Sequence, residues 1–297
     1  EYEASVGVTT ICPATMTLPV DDLKKILSTV ASYTNESGAH LVGLNMEGPF
    51  ISVSKKGAQD ERNIIPCDAA LFREFQEAAR GLIRFIGVAP ETGLDRTLDF
   101  IREVKGEVSV SLAHTNASYT DAKAAFDAGA CHAVHLFNAM PAFTHREPGV
   151  VGAVFDSKHV FAELICDGVH IHPAMVRAAF AMMGAERICL ISDSMRAAGM
   201  PDGSYTLGGL AVNVSGKHAT LAEGGALAGS VTNLADCMRT AVKEMNIPLE
   251  EAIRCATLNP ARALHLEHRY GSIAPGKTGN LVLLNPDLSL KQVIVNG

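Results

Sequence analysis

An α/β fold on a parallel sheet, closed as a barrel or doubly wound, is predicted by three features of the sequence. Short apolar runs recur along the chain at intervals of roughly 20 to 40 residues, with helical patterns between them. The runs are apolar on both faces rather than strictly alternating, as expected for parallel strands covered by helices. The alternation is sustained over seven units, one short of an eight-stranded barrel.

The first strand is predicted at residues 7–13 (GVTTICP), with a helix at 20–33 after it. The second strand falls at 40–47 (HLVGLNME), and a helix at 68–80 precedes the third at 83–89 (IRFIGVA). The fourth, 108–114 (VSVSLAH), leads to a helix at 118–128, opened by Ser118 as N-cap and stopped by Gly129. The fifth covers 133–138 (AVHLFN) and the sixth 160–167 (VFAELICD). The helix at 173–183 then opens on proline and ends at Gly184. The seventh strand is 187–193 (RICLISD). Residues 199–228 break the pattern. They are rich in glycine and alternate like hairpin strands, so an insertion after the seventh strand is predicted. Two helices follow near 230–245 and 249–257, and the tail from Gly271 reads as short strands and turns of a small β unit.

Composition narrows the function. The residues AVILMFWYC make up 47% and charged residues 19%, as in a soluble globular α/β protein. The net charge of −7 comes without long runs of one sign, which argues against nucleic acid or an anionic membrane as partner. No membrane span and no secretory signal are expected, because no long apolar stretch occurs and the start EYEASVGVTT lacks a signal's regions. Seven cysteines without a CxxC pair read as reduced core thiols of a cytoplasmic protein. The Asn-x-Ser sequons at Asn35, Asn116 and Asn213 are then chance matches. No GxxxxGK[ST] phosphate loop and no GxGxxG fingerprint support nucleotide chemistry.

Polar residues collect where the buried strands end: Glu47, His114, His135 with Asn138, Asp167 and Asp193. In a barrel those ends converge on one face, where active sites are built. Singly, each has a plain structural reading: Glu47 before Gly-Pro as a turn residue, a histidine as a satisfied core residue, Asp193 as a helix N-cap. Together, a carboxylate and two imidazoles on neighbouring strands match a first-row metal site that leaves positions open for water. Asp193 would stand opposite as a proton acceptor.

The runs MEGPF (46–50), LAHTNASY (112–119), HLFNAMP (135–141), HREPGVVGA (145–153), DGVHIHP (167–173) and SDSM (192–195) resemble the N-acetylglucosamine-6-phosphate deacetylases of the amidohydrolase superfamily. LAGS (227–230), NPAR (259–262) and GSIAPGKTGNLVLL (271–284) agree, in the same order. The resemblance implies a TIM-type (β/α)8 barrel over residues 1–265 and part of a small β-sandwich over 266–297. It implies metal-dependent hydrolysis of a linear amide, with Glu47, His114 and His135 holding one divalent ion, zinc or iron. Asp193 would be the general acid/base, while Asn138, the backbone N–H of Ala139, Arg146 and His170 hold the sugar phosphate. The expected partners are a phosphorylated amino sugar and a second copy of the chain, with no nucleic acid and no membrane. His172 is left a structural reading, and His132 and His145 no role.

The sequence departs from that family at Asn45 and Gln59, where the family carries histidines, and it shows no counterpart of the first barrel strand with its His-x-His motif. The resemblance therefore implies a chain lacking its N-terminal segment, with weak activity or none by itself. Two other readings stay open: an amidohydrolase acting on a different amide, and a sugar-phosphate-binding protein without turnover.

Overall fold

A computed structural model of the protein describes residues 1–34 and 37–297, so the Asn35 sequon lies outside the described residues. A short helix α1 (Tyr2–Ser5) precedes strand β1 (Thr10–Ile11) and helix α2 (Val20–Ser32). The next predicted strand is broken in two. Strand β2 (His40–Leu41) pairs in parallel with β1, and β3 (Leu44–Phe50) opens the main sheet. Gly43 lies at the break, where a Cβ would sit 2.3 Å from Arg84 Cγ, so a larger residue there would displace Arg84.

There follow α3 (Ala69–Ala78), β4 (Ile83–Val88), α4 (Leu94–Val104), β5 (Ser109–Leu112), α5 (Tyr119–Ala128), β6 (His132–Ala133), α6 (Gly149–Asp156), β7 (Phe161–Ile165), α7 (Pro173–Met183) and β8 (Ile188–Ile191). The main sheet runs β3-β4-β5-β6-β7-β8, and each neighbouring pair is parallel. A parallel bridge from Ala14 to Asn45 carries the pairing of β1 on to β3. The seven units read from the sequence are all present, and among the described residues no strand joins β8 to β1.

Local sequence explains the boundaries. Asp68 Oδ1 accepts from the Leu71 N–H at 3.0 Å to start α3, and Ser118 Oγ accepts from the Asp121 N–H at 3.1 Å to start α5. Every residue of β3 is buried. Phe50, Phe72, Phe75 and Phe126 are enclosed between sheet and helices, each burial contributing about 1.5–3 kcal/mol.

Beyond β8, residues 199–228 form the predicted insertion as a three-stranded antiparallel sheet of β9 (Gly203–Leu207), β10 (Leu210–Ser215) and β11 (His218–Leu221). Helix α8 (Leu234–Lys243) starts later than expected because Asn233 is its cap, with Oδ1 accepting from the Asp236 N–H at 2.9 Å. Helices α9 (Leu249–Ala256) and α10 (Leu258–Ala263) follow, and β12 (Leu281–Leu284) pairs antiparallel with β13 (Leu290–Ile294). The fifth strand is corrected: β6 stops at Ala133, because His135, Phe137 and Ala139 turn into left-handed backbone. All seven cysteines are free. No described helix is long and apolar enough to cross a membrane.

Candidate functional site

Glu47 lies within β3, while His114, His135 and Asp193 each follow a strand end by two residues. The last three adopt positive φ, at 44°, 31° and 48°. This left-handed region is uncommon for residues with a Cβ, so the surroundings must hold it. Backbone and side-chain hydrogen bonds do so. The Ser52 N–H donates to the His114 carbonyl at 2.9 Å, the His135 N–H to Glu163 Oε2 at 3.2 Å, and the Ser230 N–H to the Asp193 carbonyl at 2.7 Å.

Glu47, His114 and His135 are buried, and their ligand atoms all lie within 4.8 Å of one another. His114 Nδ1 meets the Lys55 carbonyl at 2.8 Å, and His135 Nδ1 meets the Asn138 carbonyl at 3.1 Å. Carbonyls only accept, so each Nδ1 carries a proton, and each Nε2 turns into the shared space, where it offers a lone pair once any proton there is displaced. Those Nε2 atoms face each other at 3.2 Å, and both contact Glu47 Oε1. Two imidazole nitrogens and a carboxylate converging in a buried space are a donor set that fits a divalent ion with open positions. Burial alone would push the Glu47 carboxyl up, yet the charge and hydrogen bonding of His114 and His135 hold it well below the carboxylate range. Burial pushes His135 down, but the hydrogen bond and charge of Glu47 outweigh it and lift the imidazole to about 9.

Asp193 faces this cluster across the cavity. Burial, then the charge of Glu47, raise its carboxyl to about 6, against the lowering influence of His135 and His170. Such a group exchanges a proton near neutrality. Ser230 fixes it from both sides: it takes the Met195 N–H on its carbonyl at 2.9 Å, and its hydroxyl donates to the Ser192 carbonyl. Gly229, at φ 63°, lets this segment approach, since a Cβ there would sit 3.0 Å from the Asp193 carbonyl.

A cavity of about 1320 Å³ opens over the cluster. Asn138, Ala139 and His170 line it with the four residues above, so the structure brings seven of the eight predicted site residues together. Arg146 is the exception: it stands exposed on the loop before α6, outside the cavity wall. His170 Nδ1 donates to Asp167 Oδ2 at 2.7 Å, and Asp167 Oδ1 accepts from the Val169 and His170 N–H groups. That fixes which nitrogen of His170 is free. His172 caps α7, taking the Ala174 N–H on Nδ1 at 3.2 Å.

Sequence reasoning missed the bracing role of three residues, of which Gln59 was named only as a departure from the family. Gln59 Oε1 accepts from the Thr17 N–H at 2.7 Å, and its Nε2 donates to Glu47 Oε1 at 3.2 Å, so the substituted position braces a ligand. Ser230 and Glu163 are the others. The quoted LAGS run contained Ser230 without a role, and Glu163 had only its place in a buried strand as a signal. Asn45 is buried at the cavity wall with Oδ1 unpartnered.

The amidohydrolase family profile matches residues 6–297. The chain belongs to the amidohydrolase family. This amidohydrolase is 39% identical over 261 residues to the N-acetylglucosamine-6-phosphate deacetylase of Bacillus subtilis (strain 168), covering 88% of this chain and 65% of that protein. It is 36% identical over 299 residues to the N-acetylgalactosamine-6-phosphate deacetylase of Escherichia coli O157:H7, covering 100% of this chain and 78% of that protein. A solved N-acetyl-D-glucosamine-6-phosphate deacetylase mutant of Mycobacterium smegmatis, in complex with N-acetyl-D-glucosamine-6-phosphate, superposes with a TM-score of 0.94 at 34% identity. That match covers 100% of this chain and 77% of the other. The resemblance read from MEGPF, HLFNAMP and HREPG, and the barrel-type fold it implied, both hold.

Proposed function

We propose that this amidohydrolase removes the acetyl group of N-acetylglucosamine 6-phosphate, giving glucosamine 6-phosphate and acetate. The convergence of Glu47, His114 and His135 opposite Asp193 carries the reading, in a chain whose relatives bear that name. Glu47 Oε1 and the Nε2 atoms of His114 and His135 would hold one divalent ion, zinc or iron. Such an ion, when bound, acidifies water and polarises a carbonyl. Asp193 accepts a proton from the attacking water and delivers it to the amine nitrogen as the C–N bond breaks. Asn138, the Ala139 N–H, His170 and Arg146 hold the phosphorylated sugar, the guanidinium matching a phosphate in charge and geometry. A cytoplasmic homodimer, implied by the family resemblance, belongs to the same proposal.

A second substrate is favoured by the E. coli relative, whose name specifies the galactosamine epimer. Acetate release from both sugar phosphates, with and without chelator, tests the proposal. Metal-dependent release with a higher kcat/KM for the glucosamine epimer is expected. Preference for the galactosamine epimer transfers the assignment to the second reading, and release that survives the chelator contradicts both.

A further inference from the structure

We propose that Glu163, held in place by His132, is a positioning residue that sets the orientation of His135 and so the affinity and geometry of the cation site. The inference rests on the reading that Glu47, His114 and His135 hold a divalent ion. It concerns two buried ionisable residues that the mechanism leaves unused.

The parallel ladder between β6 and β7 stops at the pair Ala133–Ala162. His135 then turns away with φ 31°, and its amide can no longer reach a ladder carbonyl. Glu163 replaces the ladder with both of its acceptors. Its backbone carbonyl takes the Leu136 N–H at 2.8 Å, and its side-chain Oε2 takes the His135 N–H at 3.2 Å. Two successive amides of the left-handed turn are therefore tied to one residue of the neighbouring strand. A buried amide without an acceptor would be costly, so the carboxylate favours this turn over alternatives.

The carboxylate is itself aimed. Its Oε1 accepts from His132 Nε2–H at 2.9 Å, and the His132 ring stacks on Phe85 with centroids 4.7 Å apart. His132 and Glu163 are 2% and 7% exposed, buried at the cavity wall. The chain Phe85–His132–Glu163–His135 thus runs from the barrel wall to the backbone of a ligand. Apart from Glu47 and His114, which meet it at Nε2, the hydrogen-bond partner of the His135 ring among the described residues is its own turn, through the Asn138 carbonyl at 3.1 Å. Loss of the Glu163 carboxylate frees the 134–135 peptide to rotate, with only the Leu136 N–H still tied to the Glu163 carbonyl, and carries His135 Nε2 away from its place 3.2 Å from His114 Nε2.

The test is cation binding by metal-depleted protein, using Zn²⁺ against a competing chelator and Co²⁺ for its visible spectrum. Wild type, Glu163→Gln and Glu163→Ala are compared. Loss of support beyond the ligands typically weakens affinity about 10–100-fold, and that loss is expected for Glu163→Ala, with an altered Co²⁺ spectrum. Glu163→Gln keeps an acceptor for the His135 N–H and is expected to bind near the wild-type level with the wild-type spectrum. If Glu163→Ala does not fold, His132→Phe keeps a ring on Phe85 while releasing the carboxylate, and a smaller loss in the same direction is expected. Unchanged affinity and spectrum in Glu163→Ala, or in His132→Phe where it takes that place, would overturn the inference. So would an equal loss in Glu163→Gln, which would make charge rather than positioning the cause. Wild-type protein that binds no ion would overturn the metal reading itself, and this inference with it.

Discussion

At one end of the cavity Glu47, His114 and His135 are buried at 8%, 6% and 4% exposure, and each is held by a second partner: Gln59 for the carboxylate, the Lys55 and Asn138 carbonyls for the rings. Asn138, Ala139 and His170 on the same cavity wall are only half-buried, and Arg146 stands exposed outside it, with no hydrogen bond or ion pair among the described residues. The first end is rigid before any ligand arrives, which suits stabilising charge at fixed atoms. The second resembles a recognition surface, where charge is solvated until the phosphate comes. Substitutions at the buried end should therefore reduce kcat, and those at the exposed end should raise KM.

The largest effect is expected from Asp193→Asn. Removing a general acid/base costs about 10²–10⁴-fold, so kcat should fall by that order while the ion content stays unchanged. Normal turnover in this variant would break the division of labour. Next comes Arg146→Ala. One charge-assisted bond to phosphate contributes about 1.5–3 kcal/mol, reduced by exposure, so KM should rise about tenfold with kcat retained. Steady-state kinetics separate the two parameters, and an unchanged KM would remove Arg146 from the phosphate end.

Two smaller effects sharpen the comparison. As a base Asp193 works only when ionised, so kcat/KM should fall as pH drops through its pKa. That value is raised to about 6 by burial and by the charge of Glu47, against His135 and His170, with Glu163 also raising it. A bound cation offsets the Glu47 charge, so the acid limb of a pH–rate profile should lie below 6 in the loaded protein. A limb above 6 would contradict this. Gly229→Ala forces a Cβ within 3.0 Å of the Asp193 carbonyl in left-handed backbone. It should destabilise the fold by about 1–3 kcal/mol in denaturant titrations and lower kcat by misplacing Asp193.

What could be read from sequence follows the same physics. Glu47, His114, His135 and Asp193 stood out because polar residues are out of place at the ends of strands buried on both faces. The braces could not be read this way. Gln59, Glu163 and Ser230 meet their partners across 12, 28 and 38 positions, and no local pattern marks such pairs. The early end of β6 was hidden because left-handed backbone at His135, Phe137 and Ala139 occurs without glycine. Helix α4 has Gly93 at its N-cap with no capping side chain, so its start carried no signal. Helix α6 is buried along nearly its whole length, and a run apolar all round has no helical period to detect.

The central claim is that Glu47, His114 and His135 hold the ion on which acetate release depends. Metal-depleted protein, reloaded in steps with Zn²⁺, tests it most directly when acetate release from N-acetylglucosamine 6-phosphate is followed against bound ion. Activity should be absent without metal, rise in proportion to loading, level off near one ion per chain, and fail to return in His114→Ala. Full turnover by metal-free protein, or by His114→Ala after reloading, would contradict the account.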